Sequence, residues 1–299
     1  MQAFGRRDIM KRTTLGEKIF NIFNYILMVL LVLITIYPVW YVAVASFSSG
    51  EAVSTGKVMF WIKDFTFEAY RKVFATKNLG TAYMNTIYYA TVGTLVSMIL
   101  TTTAAFGLSR KSFPFKKQIT LFFMFTSWFS AGIMPTYINI RNLGLLDTRL
   151  GIILMGAVST WNLILMRSYF ESIPQEMDES ARLDGATNWE LFKSIYLPLS
   201  GPALATISLY YFVGSWNAYF WSMLILTDEK KIPLQVILKK LIVELNMNFS
   251  ETAGVDFTSI SRETTVFATI MISMVPMLIL YPFIQKYFVK GIMIGAVKG

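Results

Sequence analysis

Ser172-Ile173-Pro174-Gln175-Glu176-Met177-Asp178-Glu179-Ser180-Ala181-Arg182-Leu183-Asp184-Gly185-Ala186-Thr187 continues through Asn188-Trp189-Glu190-Leu191-Phe192-Lys193-Ser194-Ile195-Tyr196 to Leu197-Pro198-Leu199. The stretch is polar and charged, yet it is set between two apolar runs, residues 150–169 and 203–226. Its pattern predicts two short helices around a turn. Ser172 with Gln175 has capping-box spacing, Pro174 suits a first turn, and Glu176, Asp178 and Glu179 put negative charge near the positive end of a helix dipole. Gly185 permits a left-handed stop. Thr187 with Glu190 repeats the capping-box spacing, and Trp189, Phe192 and Tyr196 recur at helical intervals, giving the second helix an apolar face that ends at Leu197-Pro198. Residues 171–200 therefore read as a compact helix-turn-helix projecting from whatever the flanking runs are embedded in, and on this pattern alone a simple solvated connector fits as well as a docking element.

The flanking runs are two of six. About 20 mainly apolar residues are needed to cross roughly 30 Å of hydrocarbon, and residues 21–47, 80–108, 118–139, 150–169, 203–226 and 264–287 meet or approach that length. Composition agrees. Of 299 residues, 55% are hydrophobic and only 15% charged, and the mean hydropathy is +0.52, whereas soluble domains carry about a quarter charged residues. Pro38, Pro135, Pro276 and Pro282 fall within or at the ends of these runs, which fits kinked membrane helices better than strands. The first run follows basic residues and contains Ala43-Val44-Ala45, a cleavage-like triplet, but it is far longer than a signal peptide's apolar core and reads as a retained span. The expectation is one all-α membrane domain over residues 1–299, with six transmembrane helices and no internal repeat.

Charge orients the spans. Arg6, Arg7, Lys11, Arg12 and Lys18 precede the first, and Arg110, Lys111, Lys116 and Lys117 follow the second, while the short connection after the third holds only Arg141 and Arg149. The positive-inside rule then predicts cytoplasmic termini, with residue 116 inside and residue 142 outside. The 27 basic residues against 18 acidic give +9, but the basic residues are dispersed among apolar runs and form no stripe suited to nucleic acid.

Chemistry is sharply bounded. The chain has no Cys and no His, which excludes thiolate or imidazole metal sites and both Cys/His and Ser/His/Asp catalytic sets. Its single Gly-Lys pair, Gly56-Lys57, is followed by Val58 and has Glu51 where a phosphate loop needs its first glycine. The sequence predicts no enzyme, no metal site and no cofactor on this chain.

The spacing Glu179-x-Ala181-x-x-x-Gly185, followed after nine residues by Ile195-x-Leu197-Pro198, resembles the EAA loop of binding-protein-dependent ABC importer permeases, departing at Ser180, where the family usually has alanine. Asp184-Gly185-Ala186 also resembles the family. The likeness to maltose-type carbohydrate permeases, in particular the smaller subunit and the oligo- and polysaccharide branch, runs over essentially the whole chain. It includes residues 131–137, Asn142-Leu143-Gly144-Leu145-Leu146-Asp147-Thr148 and Gly214-Ser215-Trp216-Asn217-Ala218-Tyr219.

That resemblance implies a type I ABC importer permease fold (MetI-like) in a bacterial or archaeal plasma membrane, working in an importer for a carbohydrate. It implies as partners a second related permease, two ATP-binding cassette subunits that hold ATP and Mg, and an external solute-binding protein. It further implies an ATPase-coupling set of Glu179, Ala181, Asp184, Gly185, Ala186, Ile195, Leu197 and Pro198, with Glu179 pairing with a basic residue of the ATPase. A tail from Lys290 to Gly299 could sit at the cytoplasmic surface or reach the ATPase dimer. Carbohydrate needs aromatic faces and amide or hydroxyl groups, which selects Trp128, Tyr211, Trp216, Asn217 and Tyr219 as pathway candidates against interfacial anchoring or helix packing, and Trp61 and Trp221 as interfacial anchors. An importer of the same architecture carrying a non-sugar solute is one alternative. A self-sufficient channel or secondary transporter is another, disfavoured because the spans hold essentially no carboxylates to mark a coupling-ion path.

Overall fold

The structure, a computed structural model, describes residues 14–247 and 257–296, with side chains over 14–243 and 262–282. The basic cluster at residues 6–12, the residues from 297 onward, and the side chains of the tail from Lys290 lie outside the described residues. Fifteen α-helices and one π-turn follow in order, with no strand among the described residues.

Two compact units contain them: residues 1–70 with 256–268, and residues 71–255 with 269–299. In the first, α1 (Leu15–Ser46) opens on a capping box, Thr14 N–H donating to Glu17 (2.8 Å) and Glu17 N–H to the Thr14 hydroxyl (3.3 Å). From Leu15 to Tyr37 its large apolar side chains are exposed, as a helix surrounded by lipid requires. Burial begins at its C-terminal end, where Val44 and Ala45 pack with Ala52 and Val53 of the short α2 (Gly50–Ser54), Val58, Tyr41 and Phe267. The Trp40 indole donates to the Phe60 carbonyl (2.8 Å).

The second unit is built on α4 (Leu79–Ser109), which follows the short α3 (Glu68–Phe74). Its 31 residues rise about 46 Å at 1.5 Å each. Ala82, Thr86, Ala90, Gly93, Ser97, Thr101 and Ala105 form a buried row of small residues along it, which lets neighbouring backbones approach closely. Against it lie α7 (Arg149–Met155), α8 (Thr160–Glu171), α12 (Gly201–Asn217) and α14 (Leu234–Met247). The main core joins Ala105 and Leu108 to Leu163, Met166, Phe170, Phe192, Tyr196, Ile207 and Tyr211.

The remaining elements are α5 (Lys116–Trp128), α6 (Ile133–Asn142), α9 (Gln175–Leu183), α10 (Asn188–Leu191), the π-turn Phe192–Tyr196, α11 (Leu197–Leu199), α13 (Phe220–Ile225) and α15 (Phe257–Ala296).

Among the described residues, three helices are long and apolar enough to cross a membrane: α1, α4 and the Arg262–Pro282 part of α15. The expected third and fourth spans are bent pairs instead of straight helices, α5 with α6 at 118° and α7 with α8 at 56°, and counting each as one gives five. The first break contains Gly132 at φ +84°, a backbone that only glycine adopts freely. The expected fifth run, 203–226, is divided at Ala218–Tyr219 into α12 and α13, neither of which alone reaches spanning length.

Candidate functional site

The loop at residues 171–200 is the expected helix-turn-helix, and its termini explain much of its sequence. Gly185 stands at φ +85°. The Ala186 N–H donates to the Ala181 carbonyl (2.9 Å) and the Gly185 N–H to the Arg182 carbonyl (3.0 Å), a Schellman closure of α9. Thr187 and Glu190 then form a full capping box, with Glu190 accepting from the Thr187 N–H (2.7 Å) and hydroxyl (2.8 Å). These donors hold the Glu190 carboxyl below its ordinary range, the backbone N–H first. The box expected between Ser172 and Gln175 is not formed. Ser172 turns back to donate to the Tyr169 carbonyl (2.6 Å), and Gln175 instead accepts from Lys111 (3.0 Å). With Pro174 at the N-cap, α9 starts without a side-chain cap.

One cation holds the hairpin to α4. Arg110, the C-cap of α4, donates to Asp178 on α9 and to the Tyr196 hydroxyl (2.7 Å). Its guanidinium also lies 4.7 Å from the Phe106 ring centroid and 5.0 Å from that of Tyr196. Both charged side chains are mostly buried, and Asp178 also accepts from Arg182 (3.2 Å). Burial pushes the Tyr196 hydroxyl above its ordinary pKa, with the nearby Arg110 opposing. Glu179, the next residue after Asp178, is exposed and finds no hydrogen-bond or ion-pair partner among the described residues. Met177, Leu183 and Trp189 are also exposed, Leu183 at 89%. Of the expected coupling residues, Asp184 is the exposed C-cap of α9, Ile195 and Leu197 are half-buried against the core, and Pro198 is exposed.

At the other end of α4, polar groups pin the segment after α13. Asp147, at φ +52°, accepts from the Thr227 and Asp228 N–H groups (both 3.0 Å) and from Lys231 (3.0 Å). The Asp228 N–H contributes most to holding its carboxyl below the ordinary range. Asn85 donates to the carbonyls of Lys230 (2.7 Å) and Ile232 (3.1 Å) and accepts from Arg149 (2.9 Å).

Between these ends, α4, α7, α8, α12 and α13 enclose a cleft of about 540 Å³. Trp161, Asn162, Tyr210, Tyr211, Ser215 and Trp221 are among its walls. The Tyr211 hydroxyl bonds with that of Thr101 (2.7 Å) and accepts from the Ser159 N–H (3.0 Å).

The profile of the family described as "binding-protein-dependent transport system inner membrane component" matches residues 79–294. The chain belongs to that family. The permease is 37% identical over 265 residues to the "polygalacturonan/rhamnogalacturonan transport system permease protein YtcP" of Bacillus subtilis (strain 168), covering 88% of this chain and 93% of that one. It is 33% identical over 290 residues to "protein LplC" of the same organism, covering 97% and 98%. A solved structure described as "a bacterial ABC transporter involved in the import of the acidic polysaccharide alginate" contains a chain 41% identical to it, with a TM-score of 0.82 and coverage of 92% and 99%. A second, "bacterial alginate ABC transporter in complex with alginate pentasaccharide-bound periplasmic protein", matches at 14% identity and a TM-score of 0.57, covering 92% and 98%, and shares the fold.

The permease is therefore an all-helical inner-membrane component of an ABC importer. Its sequence-selected pathway residues do not form one cluster. Tyr211 lines the 540 Å³ cleft. Trp216 is buried and donates to the Ser273 carbonyl (3.3 Å), a packing role. Asn217 donates back to the Val213 carbonyl (3.0 Å) and lines a separate cleft of about 550 Å³ between α12 and α15. Trp128 and Tyr219 are exposed and line neither cleft. Trp161, Asn162 and Ser159 escaped the sequence reading, and Trp221, assigned there to the interface, is a cleft wall. A polar Ser159-x-x-Asn162 pair inside an apolar run was the available signal.

Proposed function

We propose that the permease is one of two related membrane subunits of an ATP-driven importer for an oligo- or polysaccharide delivered by an external solute-binding protein. The hairpin at 171–200 docks on an ATP-binding cassette subunit, which holds the ATP and Mg, and both chain termini are cytoplasmic. The observation that carries this reading is the contrast between adjacent acids. Asp178 is mostly buried and used internally, while Glu179 stands exposed and unpaired, one helical turn from the exposed Leu183. An unpaired carboxylate with an exposed leucine one turn away on the same helix face is suited to a partner that offers a basic residue beside an apolar surface. Ala181, Gly185 and Ala186 keep the joint compact, and Asp184, Ile195, Leu197 and Pro198 set its outer rim and its seat on the core. The saccharide cargo is supported by the names of the relatives, and the passage by the aromatic and hydroxyl-lined cleft that includes Tyr211. Transport follows from two states of this scaffold, whose balance shifts when the ATPase subunits close.

The test is isolation of the tagged permease from membranes, identification of the subunits that accompany it, and reconstitution of that complex with its binding protein. ATP-dependent uptake of a saccharide bound by that protein is expected. A complex without an ATP-binding cassette subunit, or one that moves only a non-sugar solute, overturns the reading.

A further inference from the structure

The connection between α2 and α3 carries Val58-Met59-Phe60-Trp61-Ile62, an apolar run that folds with one side chain in and four out. Val58 is buried in the small core of the first unit, whereas Met59, Phe60, Trp61 and Ile62 are 62%, 56%, 74% and 42% exposed. That exposure is built into the backbone. The Lys57 N–H donates to the Ala52 carbonyl (3.0 Å), the Lys63 N–H to the Ser48 hydroxyl (3.1 Å) and the Ser49 N–H to the Lys63 carbonyl (3.1 Å), so both ends of the run are tied down. In the middle, the Phe60 carbonyl accepts from the Trp40 indole (2.8 Å). The rings of Phe60 and Trp61 lie near Tyr37 and Trp40 of α1, at centroid distances of 5.5 and 6.5 Å. Four consecutive large apolar side chains held outward on a fixed backbone form a contact surface and not a stray exposed residue.

The geometry of α1 decides what that surface meets. Lys18 is the last charged residue of the helix, and none follows from Ile19 to Ser46. Trp40 lies 22 residues beyond Lys18, a rise of about 33 Å at 1.5 Å each, against roughly 30 Å of hydrocarbon. With Lys18 at one headgroup level, Trp40 and the tip bonded to it stand at the other. Trp and Tyr are favoured at that depth. Exposed Lys57 and Lys63 bracket the tip, and lysine stems can lie along apolar surface while their ammonium groups reach the headgroups. The tip itself carries no charge and continues the exposed apolar surface of α1. We infer that residues 59–62 are a preformed anchor that inserts into the boundary between headgroups and acyl chains in the leaflet at the C-terminal end of α1, with Lys57 and Lys63 at the lipid phosphates. Trp61, expected from the sequence at the interface, acts there as one of four residues. The anchor fixes the depth of the end of α1 and of α2, which packs on it. It requires only that α1 spans the membrane and is independent of cargo and ATPase.

The chain has no Cys, so a complex with the unaltered permease gives the labelling background. Bimane is attached to Met59→Cys and, separately, to Ile62→Cys in the assembled complex, reconstituted into vesicles of phosphatidylethanolamine and phosphatidylglycerol. Phosphatidylcholine with a nitroxide near the headgroup end of its acyl chain quenches from the lipid, and iodide quenches from water. Glu51→Cys, at an exposed charged position of α2, is the aqueous control. The nitroxide lipid should quench bimane at 59 and 62 several-fold more than at 51, and iodide should do the reverse. Adding Phe60→Asp and Trp61→Asp to Met59→Cys should cut the lipid quenching several-fold. Iodide quenching at 59 and 62 equal to that at 51 would leave the tip in water, and shielding from both quenchers would place a protein partner over it. Lipid quenching that survives the two Asp substitutions would mean that the label, and not the tip, enters the bilayer. Each of these three results overturns the anchor.

Discussion

At the scale of single residues, the adjacent carboxylates Asp178 and Glu179 have opposite assignments because one faces α4 and the other faces away. A charge-assisted contact partly excluded from water contributes about 1.5–3 kcal/mol, so losing the proposed Glu179 contact should weaken ATPase attachment by roughly tenfold or more. Glu179→Lys should be worse than Glu179→Ala, since it adds repulsion to the lost contact. Both variants should insert normally, with uptake and binding-protein-stimulated ATP hydrolysis falling together. Wild-type uptake by Glu179→Lys in the reconstituted complex would remove Glu179 from the docking role. Arg110 is a different case, because its task is internal. It serves Asp178 and Tyr196 with separate nitrogens and lies against two aromatic rings, a geometry that the point charge of lysine does not reproduce. Arg110→Lys and Arg110→Leu should both loosen the hairpin from α4, by about 1–3 kcal/mol for the unsatisfied partner. The expected readout is faster amide hydrogen exchange across residues 175–196 with exchange near Asn85 unchanged.

At the scale of elements, the Asp147 turn and the segment after α13 behave as one latch, and its pH dependence has a definite sign. The Asp147 carboxyl is held below its ordinary range by the Asp228 N–H, Lys231 and the Thr227 N–H. Its contribution is therefore fully present above the unfolded carboxylate value of about 3.9, and is lost as pH falls through the lower folded value. Amide hydrogen exchange across residues 227–233, corrected for the intrinsic pH dependence of exchange, should be insensitive to pH from neutrality down to the unfolded value and should rise only below it. Asp147→Ala, which also leaves two N–H groups without their acceptor, should speed exchange there at neutral pH, and protection that persists in that variant would show that the latch lies elsewhere. The same elements show what a sequence reveals. The Gly185 stop and the Thr187–Glu190 box were legible because both are closed by residues within a few positions of each other. The Ser172–Gln175 box failed because tertiary partners, the Tyr169 carbonyl and Lys111, took both side chains. Apolar length marked the third to fifth runs but could not reveal their breaks, since Gly132 and the Ala218–Tyr219 step leave the hydropathy of the run unaltered. The cleft was illegible for a stronger reason. Ser97, Asn162, Ser215 and Trp221 come to line one cleft only after four separate segments pack together.

At the scale of the whole molecule, the two polar ends of α4 define opposite faces of one scaffold. One end carries Arg110 and the hairpin, and the other carries Asn85, bonded to Arg149 and to the segment that Asp147 also holds. The helix rises about 38 Å from Asn85 to Arg110 at 1.5 Å per residue, enough to cross roughly 30 Å of hydrocarbon. The proposed docking of the hairpin on an ATPase requires its end to be cytoplasmic, and the short connections agree, with four cations between Arg110 and Lys117 against Arg141 and Arg149 after the third run. The permease has no native Cys to confuse a labelling experiment. Asn142 is exposed at the end of α6, whereas Lys116 is half-buried at the start of α5 and bonded to Glu171 (2.8 Å) and the Ser109 carbonyl (3.3 Å), so the exposed Lys117→Cys is the control for the loss of those contacts in Lys116→Cys. An impermeant thiol reagent applied to intact cells should label Asn142→Cys and spare Lys116→Cys and Lys117→Cys, with the pattern reversed in inverted membrane vesicles. Labelling of positions 116 and 117 from outside, with position 142 protected, would place the hairpin on the side away from ATP and would end both the orientation and the docking role built on it.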